Sequence, residues 1–145
     1  MKIMAVDYGD ARTGVAISDS TGLLTGFSTV IQGREPGAVA HELCRLADEN
    51  RVEELVIGLP RNMDGSEGLR AQLCREFAGE IEKLTRLPVT LWDERRTTVE
   101  AHAILHENGK RMKNHKKTVD AVAASLILEG YLVKKRMERA NAAEI

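Results

Sequence analysis

Lys2-Ile3-Met4-Ala5-Val6-Asp7-Tyr8-Gly9-Asp10-Ala11-Arg12-Thr13-Gly14-Val15-Ala16-Ile17-Ser18 holds two apolar runs on either side of a short turn. The first run is continuous from Ile3 to Val6, as expected of a strand buried on both faces. It stops at one carboxylate, Asp7. Gly9 sits in the turn, and residues 14–19 read as the antiparallel partner of a hairpin. An acid placed where a buried strand surfaces is costly for folding. It suits the holding of a metal ion or a phosphate, although a strand-end Asp also serves as a turn former that accepts backbone N–H bonds.

Outward from this hairpin, a third strand is expected within residues 23–32, between Gly22 and Gly33. The period then changes. Val39, Leu43 and Leu46 recur at helical spacing over 36–50, with Glu35-Pro36 forming a good first turn. Leu55-Val56-Ile57-Gly58-Leu59-Pro60 reads as a short buried strand closed by proline. A helix over about 67–86, a strand over 88–92 and a helix over about 97–107 follow. A basic loop covers 108–117, and a last helix runs from about 118 to 139. The order β-β-β-α-β-α-β-α-α predicts an α/β fold. Its mixed sheet would be an antiparallel meander continued by parallel strands with crossover connections. Residues 1–139 are expected to form one domain and residues 140–145 a fraying tail.

A chain of 145 residues is long enough for one core and too short for two. With 43% hydrophobic and 30% charged residues it is globular rather than disordered. The net charge of −1 excludes a globally basic nucleic-acid binder. It leaves room for local basic patches, such as Lys110-Arg111-Met112-Lys113-Asn114-His115-Lys116-Lys117 and the later Lys134, Lys135, Arg136 and Arg139. No stretch reaches the roughly 18 apolar residues of a membrane span, and no secretory signal pattern opens the chain. Cys44 and Cys74 lack a metal or redox spacing and read as reduced thiols, which points to the cytoplasm.

Acids in three places could converge. Asp7 ends the first strand, Asp93 and Glu94 end the last, and Asp120 lies in the first turn of the last helix. Open α/β sheets build their sites at the carboxyl ends of their parallel strands. A helix packed beside the first strand would bring Asp120 there as well. Clustered carboxylates repel unless cations neutralise them, and all-oxygen ligands suit Mg²⁺ or Mn²⁺. Such ions support phosphodiester hydrolysis. Each acid also has a plainer reading: Asp93-Glu94 as a solvated salt-bridge patch beside Arg95 and Arg96, and Asp120 as a helix N-terminal charge.

Other motifs are weaker. His102 and His106 stand at i, i+4 without an obvious third ligand. Residues 58–68 have a strand–loop–helix look that could cradle phosphate, without a Walker Gly-Lys-Ser/Thr. The basic run leads directly into the helix carrying Asp120, so its lysines could meet phosphates. With 3% aromatic residues, a nucleic acid would be held by backbone and shape rather than by base stacking.

Four ordered segments together resemble the YqgF/RuvX family. They are Asp7-Tyr8-Gly9 through Arg12-Thr13-Gly14-Val15-Ala16, Gly58-Leu59-Pro60 through Asn62-Met63-Asp64-Gly65, Asp93-Glu94-Arg95 with Thr97-Thr98-Val99-Glu100-Ala101, and Asp120-Ala121-Val122-Ala123-Ala124 through Ile127-Leu128. The resemblance covers nearly the whole chain. It implies a ribonuclease H-like fold with a five-stranded mixed sheet, related to the RuvC Holliday-junction resolvase. It also implies a nuclease role in maturing the 5′ end of precursor 16S ribosomal RNA. Carried over residue by residue, Asp7 is the first-strand acid, Glu94 (beside Asp93) the second and Asp120 the helix acid. The chain departs from the wider superfamily where the fourth strand ends. Ile57-Gly58-Leu59-Pro60 has no acid, so Glu94 would have to substitute.

The expectation is therefore a nuclease in which Asp7, Glu94 and Asp120 hold Mg²⁺ or Mn²⁺. Arg12, Arg95, Lys113, Lys116 and Lys117 are candidates for the nucleic-acid backbone. The expected partner is precursor ribosomal RNA, with branched DNA and pre-ribosomal particles as further candidates, and the chain is a monomer or weak homodimer. The rival readings are a dimeric junction resolvase, a non-catalytic RNA- or ribosome-binding module, and, ranked last, an actin-like nucleotide phosphohydrolase.

Overall fold

The continuous apolar run becomes strand β1, Ile3–Asp7, buried along its length until Asp7. In the computed structural model, residues 1–22, 25–94 and 116–143 are described, with the backbone alone described for 116–120 and 142–143. The expected helix at 97–107 and most of the basic loop lie outside the described residues. Strand β2 is Arg12–Ser18 and β3 is Thr25–Gln32. Helix α1, Pro36–Glu49, is followed by β4, Glu54–Leu59, then α2, Leu69–Leu84, and β5, Val89–Asp93. Helix α3 spans Lys116–Ala143.

The sheet order is β3-β2-β1-β4-β5. The pairs β1–β2 and β2–β3 are antiparallel, whereas β1–β4 and β4–β5 are parallel. This is the expected mixed sheet of a ribonuclease H-like fold. The hairpin turn depends on Gly9, because a Cβ there would stand 2.1 Å from the Arg12 carbonyl oxygen.

The two-residue alternation of strands assigns each side chain to a layer. Met4 and Val6 of β1, with Leu55 and Ile57 of β4, pack against Leu43 of α1 and Phe77 and Ile81 of α2. Ile3 and Ala5, with Val56 and Trp92, pack against Ala124, Ile127, Leu128 and Tyr131 of α3. Asp7, next in the Ile3–Ala5 series, therefore belongs to the α3 face. So does Gly58, two residues beyond Val56.

Helix α1 begins where the sequence indicates. The Glu35 carboxylate accepts the Gly37 and Ala38 N–H groups at 3.0 and 2.6 Å, and Pro36 opens the first turn. Those two bonds hold the Glu35 carboxyl below its usual range. Helix α3 is longer than expected at both ends. Lys116 and Lys117 are its first residues rather than the end of a loop, and the helix continues past residue 139 to Ala143. Lysine and alanine have high helix propensity, and Lys134 pairs with Glu138 at 3.7 Å one turn away. Among the described residues, no helix is long and apolar enough to cross a membrane.

One buried polar cluster fixes α3 against the sheet. The Tyr131 hydroxyl donates to Glu54, which is 5% exposed, and Lys135 Nζ lies 3.3 Å from the same carboxylate. Tyr131→Phe would leave that buried carboxylate short of a donor. The expected loss is about 1–3 kcal/mol in chemical denaturation, without loss of fold.

Candidate active site

The acids meet at the carboxyl edge of the sheet. Asp7 lies opposite Gly14 on β2. On its other flank the parallel register runs Val6 to Ile57, so the next position on β4 beside Asp7 is Gly58. Asp7 is thus bracketed by two residues without side chains. Beyond Gly58, Trp92 is the register partner on β5, and Glu94 follows just after that strand ends.

Glu94 starts two strands from Asp7, a separation of about 9–10 Å. Its carboxylate crosses that gap over Gly58. A Cβ at position 58 would stand 2.3 Å from Glu94 Oε1, 3.0 Å from its Cδ and 2.7 Å from Ile127 Cδ1. The missing side chain is the space the carboxylate occupies. At the end of its path Glu94 hydrogen-bonds Asp7. The absence of a fourth-strand acid is therefore no obstacle to a paired site. Glycine at that position lets the fifth-strand acid reach the place beside Asp7.

The adjacent acids Asp93 and Glu94 are told apart by alternation. Trp92 belongs to the α3 layer, so Asp93 points to the opposite face while Glu94 returns to the side of Asp7. Burial first, then the charge of Asp7 and the hydrogen bond with it, push the Glu94 carboxyl up to about 7. Arg70 acts in the opposite direction.

This pair sets a pH dependence. Glu94 binds its proton more tightly in the folded chain, so folding is favoured where it is protonated. Without divalent metal, stability should fall as pH rises from about 4.5 to about 7 through this group. Thermal unfolding in chelator across that range measures it, and Asp7→Asn should flatten the slope.

Asp120 lies near the start of α3. By helical spacing it continues the line of Ala124, Ile127 and Tyr131, two turns before Ile127. Tyr131 meets Glu54 at the start of β4, and Ile127 lies against Gly58 near its end. The helix therefore runs toward the acid edge as it approaches Asp120, whose side chain is outside the described residues. Among the described residues, no group of three or more His, Cys, Asp and Glu stands ready for a metal. Asp7 and Glu94 nevertheless fit one as far as they go. They are hard oxygen donors, and burial together with the Asp7 charge favours a proton on Glu94 that a divalent cation would displace.

Arg12 opens β2 beside Gln32. Because β2 is antiparallel to β1, its start lies on the edge where Asp7 ends. Lys116 and Lys117 begin α3, whereas Arg95, Lys113, His102 and His106 fall outside the described residues. In the segment after β4 three N–H groups are engaged within the loop: Asn62 donates to the Ser66 carbonyl, Gly65 to the Asn62 carbonyl and Ser66 to Asp64 Oδ1, each at 2.9 Å. Glu67 adds an acid there, paired with Arg75 at 2.6 Å.

Two residues important to this geometry escape sequence reasoning. A lone glycine at a strand end hints at close approach, which is the one signal for Gly58. Arg70 carries none, since an arginine in a first helical turn is ordinary surface chemistry.

Comparison with known proteins agrees with this architecture. A protein from Halothermothrix orenii is 46% identical over 132 residues, covering 91% of this chain and 94% of its own. One from Lachnospira eligens is 42% identical over 139 residues, covering 94% and 99%. Both carry the provisional name pre-16S rRNA nuclease. Among solved structures, T. thermophilus RuvC in complex with Holliday junction substrate superposes with a TM-score of 0.66 at 13% identity, covering 94% of this chain and 96% of that one. The large terminase nuclease from thermophilic phage G20c does so with a TM-score of 0.55 at 12% identity, covering 89% and 80%. At those identities the likeness concerns the fold. Residues 1–134 match the family model described as RuvX, Holliday junction resolvase. That match, with the identities to these relatives, places the chain in the RuvX family.

Proposed function

We propose that the chain is a divalent-metal-dependent nuclease that acts on the 5′ end of precursor 16S ribosomal RNA in the cytoplasm. The observation that carries this reading is the Asp7–Glu94 carboxylate pair at the sheet edge, joined across Gly58. The names of the relatives support the choice of RNA. Asp7, Glu94 and Asp120 would hold Mg²⁺ or Mn²⁺. The ion would supply Lewis-acid polarisation of the phosphate and an acidified water.

The chain's own groups do the rest. Asp7, fixed at the end of a buried strand, sets the position of the site. Glu94, whose carboxylate the space over Gly58 holds beside Asp7, would be ionised when holding the ion and would offer it carboxylate oxygens. Arg12 at the same edge, Lys116 and Lys117 at the start of α3, and Arg95 and Lys113 would hold backbone phosphates and set the register of the strand.

The test is cleavage of end-labelled precursor RNA and of a four-way DNA junction, side by side, with Mg²⁺, Mn²⁺ or chelator. RNA cut only with metal, near the mature 5′ end, is the expected result. Paired symmetrical cuts in the junction by a dimer, with the RNA left whole, would replace this reading with a resolvase. RNA bound but never cut would make the chain a binding module.

A further inference from the structure

We propose that Arg70 is a phosphate-binding residue of this site, and that Asp10 occupies its guanidinium until nucleic acid arrives. The proposal rests on the nuclease reading and adds a residue to it. Arg70 lies in the first turn of α2 and reaches the β1–β2 turn. It donates to the Tyr8 carbonyl, one residue past Asp7, and to Asp10 Oδ1 at 2.8 Å. Its guanidinium also lies over the Tyr8 ring, 5.6 Å from the centroid.

The two anchors differ in kind. Tyr8 is rigid, because its ring stacks on Phe77 with centroids 3.9 Å apart and planes 9° from parallel. The bond to its carbonyl holds Arg70 at the β1–β2 turn, one residue beyond Asp7. Asp10 has a side chain 81% exposed, against 37% for Arg70. An ion pair this open to water is weak and readily exchanged. A phosphate oxygen is the natural replacement, since the planar guanidinium suits phosphate and has five donors, of which these bonds engage two. Its bond to the Tyr8 carbonyl places the guanidinium one residue beyond Asp7, at the edge where β1 ends, within reach of a strand whose phosphate sits on the acids.

The test is equilibrium binding of the full chain to a labelled single-stranded RNA spanning the precursor 5′ junction. Chelator prevents cleavage, and the KCl concentration is varied. Arg70→Ala is expected to weaken binding on the order of tenfold. It should also reduce the log–log salt slope by about 0.7, the value of one phosphate contact on a single strand. Arg70→Lys should retain the slope. Asp10→Asn, which releases the guanidinium, should tighten binding by up to about fivefold.

Two results would overturn the proposal. One is an unchanged salt slope in Arg70→Ala with a lowered melting temperature, the mark of a purely structural tie. The other is weaker binding by the folded Asp10→Asn variant. Asp7→Asn separates this proposal from the nuclease reading. If that variant still cuts RNA, the metal site falls while the Arg70 slope stands on its own. If the wild type binds no RNA in chelator, both fall.

Discussion

Asp7→Asn is expected to lower metal-dependent cleavage on the order of 10³-fold while leaving the fold intact. Asp7 is the acid around which the edge is arranged, with Gly14 on one flank and Gly58 on the other. The amide keeps the size of the side chain but removes its charge and one oxygen donor. A metal contributes several kcal/mol of transition-state stabilisation, and each 1.36 kcal/mol lost is tenfold in rate. Folding should not suffer. Removing the Asp7 charge relieves the repulsion that helps to push Glu94 up to about 7. The variant should therefore be at least as stable as the wild type in chelator at neutral pH. Activity within tenfold of wild type would remove Asp7 from the mechanism.

Gly58→Ala is expected to cost about 10²-fold in cleavage although it touches no substrate. Its Cβ would fall 2.3 Å from Glu94 Oε1 and 2.7 Å from Ile127 Cδ1. Both groups would have to move, and a displacement near 1 Å at a reacting centre costs about that factor. Overpacking at the same point should lower stability by about 1–3 kcal/mol. Gly79→Ala is the control. Beyond its chain neighbours and its own helix backbone, no atom lies within 4 Å of a Cβ at Gly79, so the substitution should leave cleavage unchanged. In the interior of α2 it should also add about 0.5–1 kcal/mol of stability. Equal activity in the two alanine variants would show that Glu94 does not need the space over Gly58.

The centre of the sheet was legible because β1 and β4 are short apolar runs bounded by glycine, proline and a change of period. Ile3–Val6 and Leu55–Leu59 leave no polar face to misread, and the Gly9 turn makes the first two strands a hairpin. The edges of α3 were not legible. Lysine and alanine are common in polar segments generally, so propensity alone did not place its ends at Lys116 and Ala143. The acids were legible as types at strand ends, and Asp7 and Glu94 do meet. How they meet depends on something that is not there, a side chain at position 58. Asp93 and Glu94 could be separated only once Trp92 was assigned to the α3 layer. Composition also does not reveal that Asn62, Gly65 and Ser66 use their N–H groups inside the loop after β4.

The central claim is that Asp7 and Glu94 together hold a divalent ion. Anomalous diffraction from crystals of the full chain grown with Mn²⁺ tests it most directly. The account predicts a manganese peak between Asp7 and Glu94, with carboxylate oxygens at roughly 2.0–2.2 Å, and no peak in Asp7→Asn crystals. Manganese bound elsewhere, with Glu94 still hydrogen-bonded to Asp7 in an enzyme that cuts RNA, would contradict it.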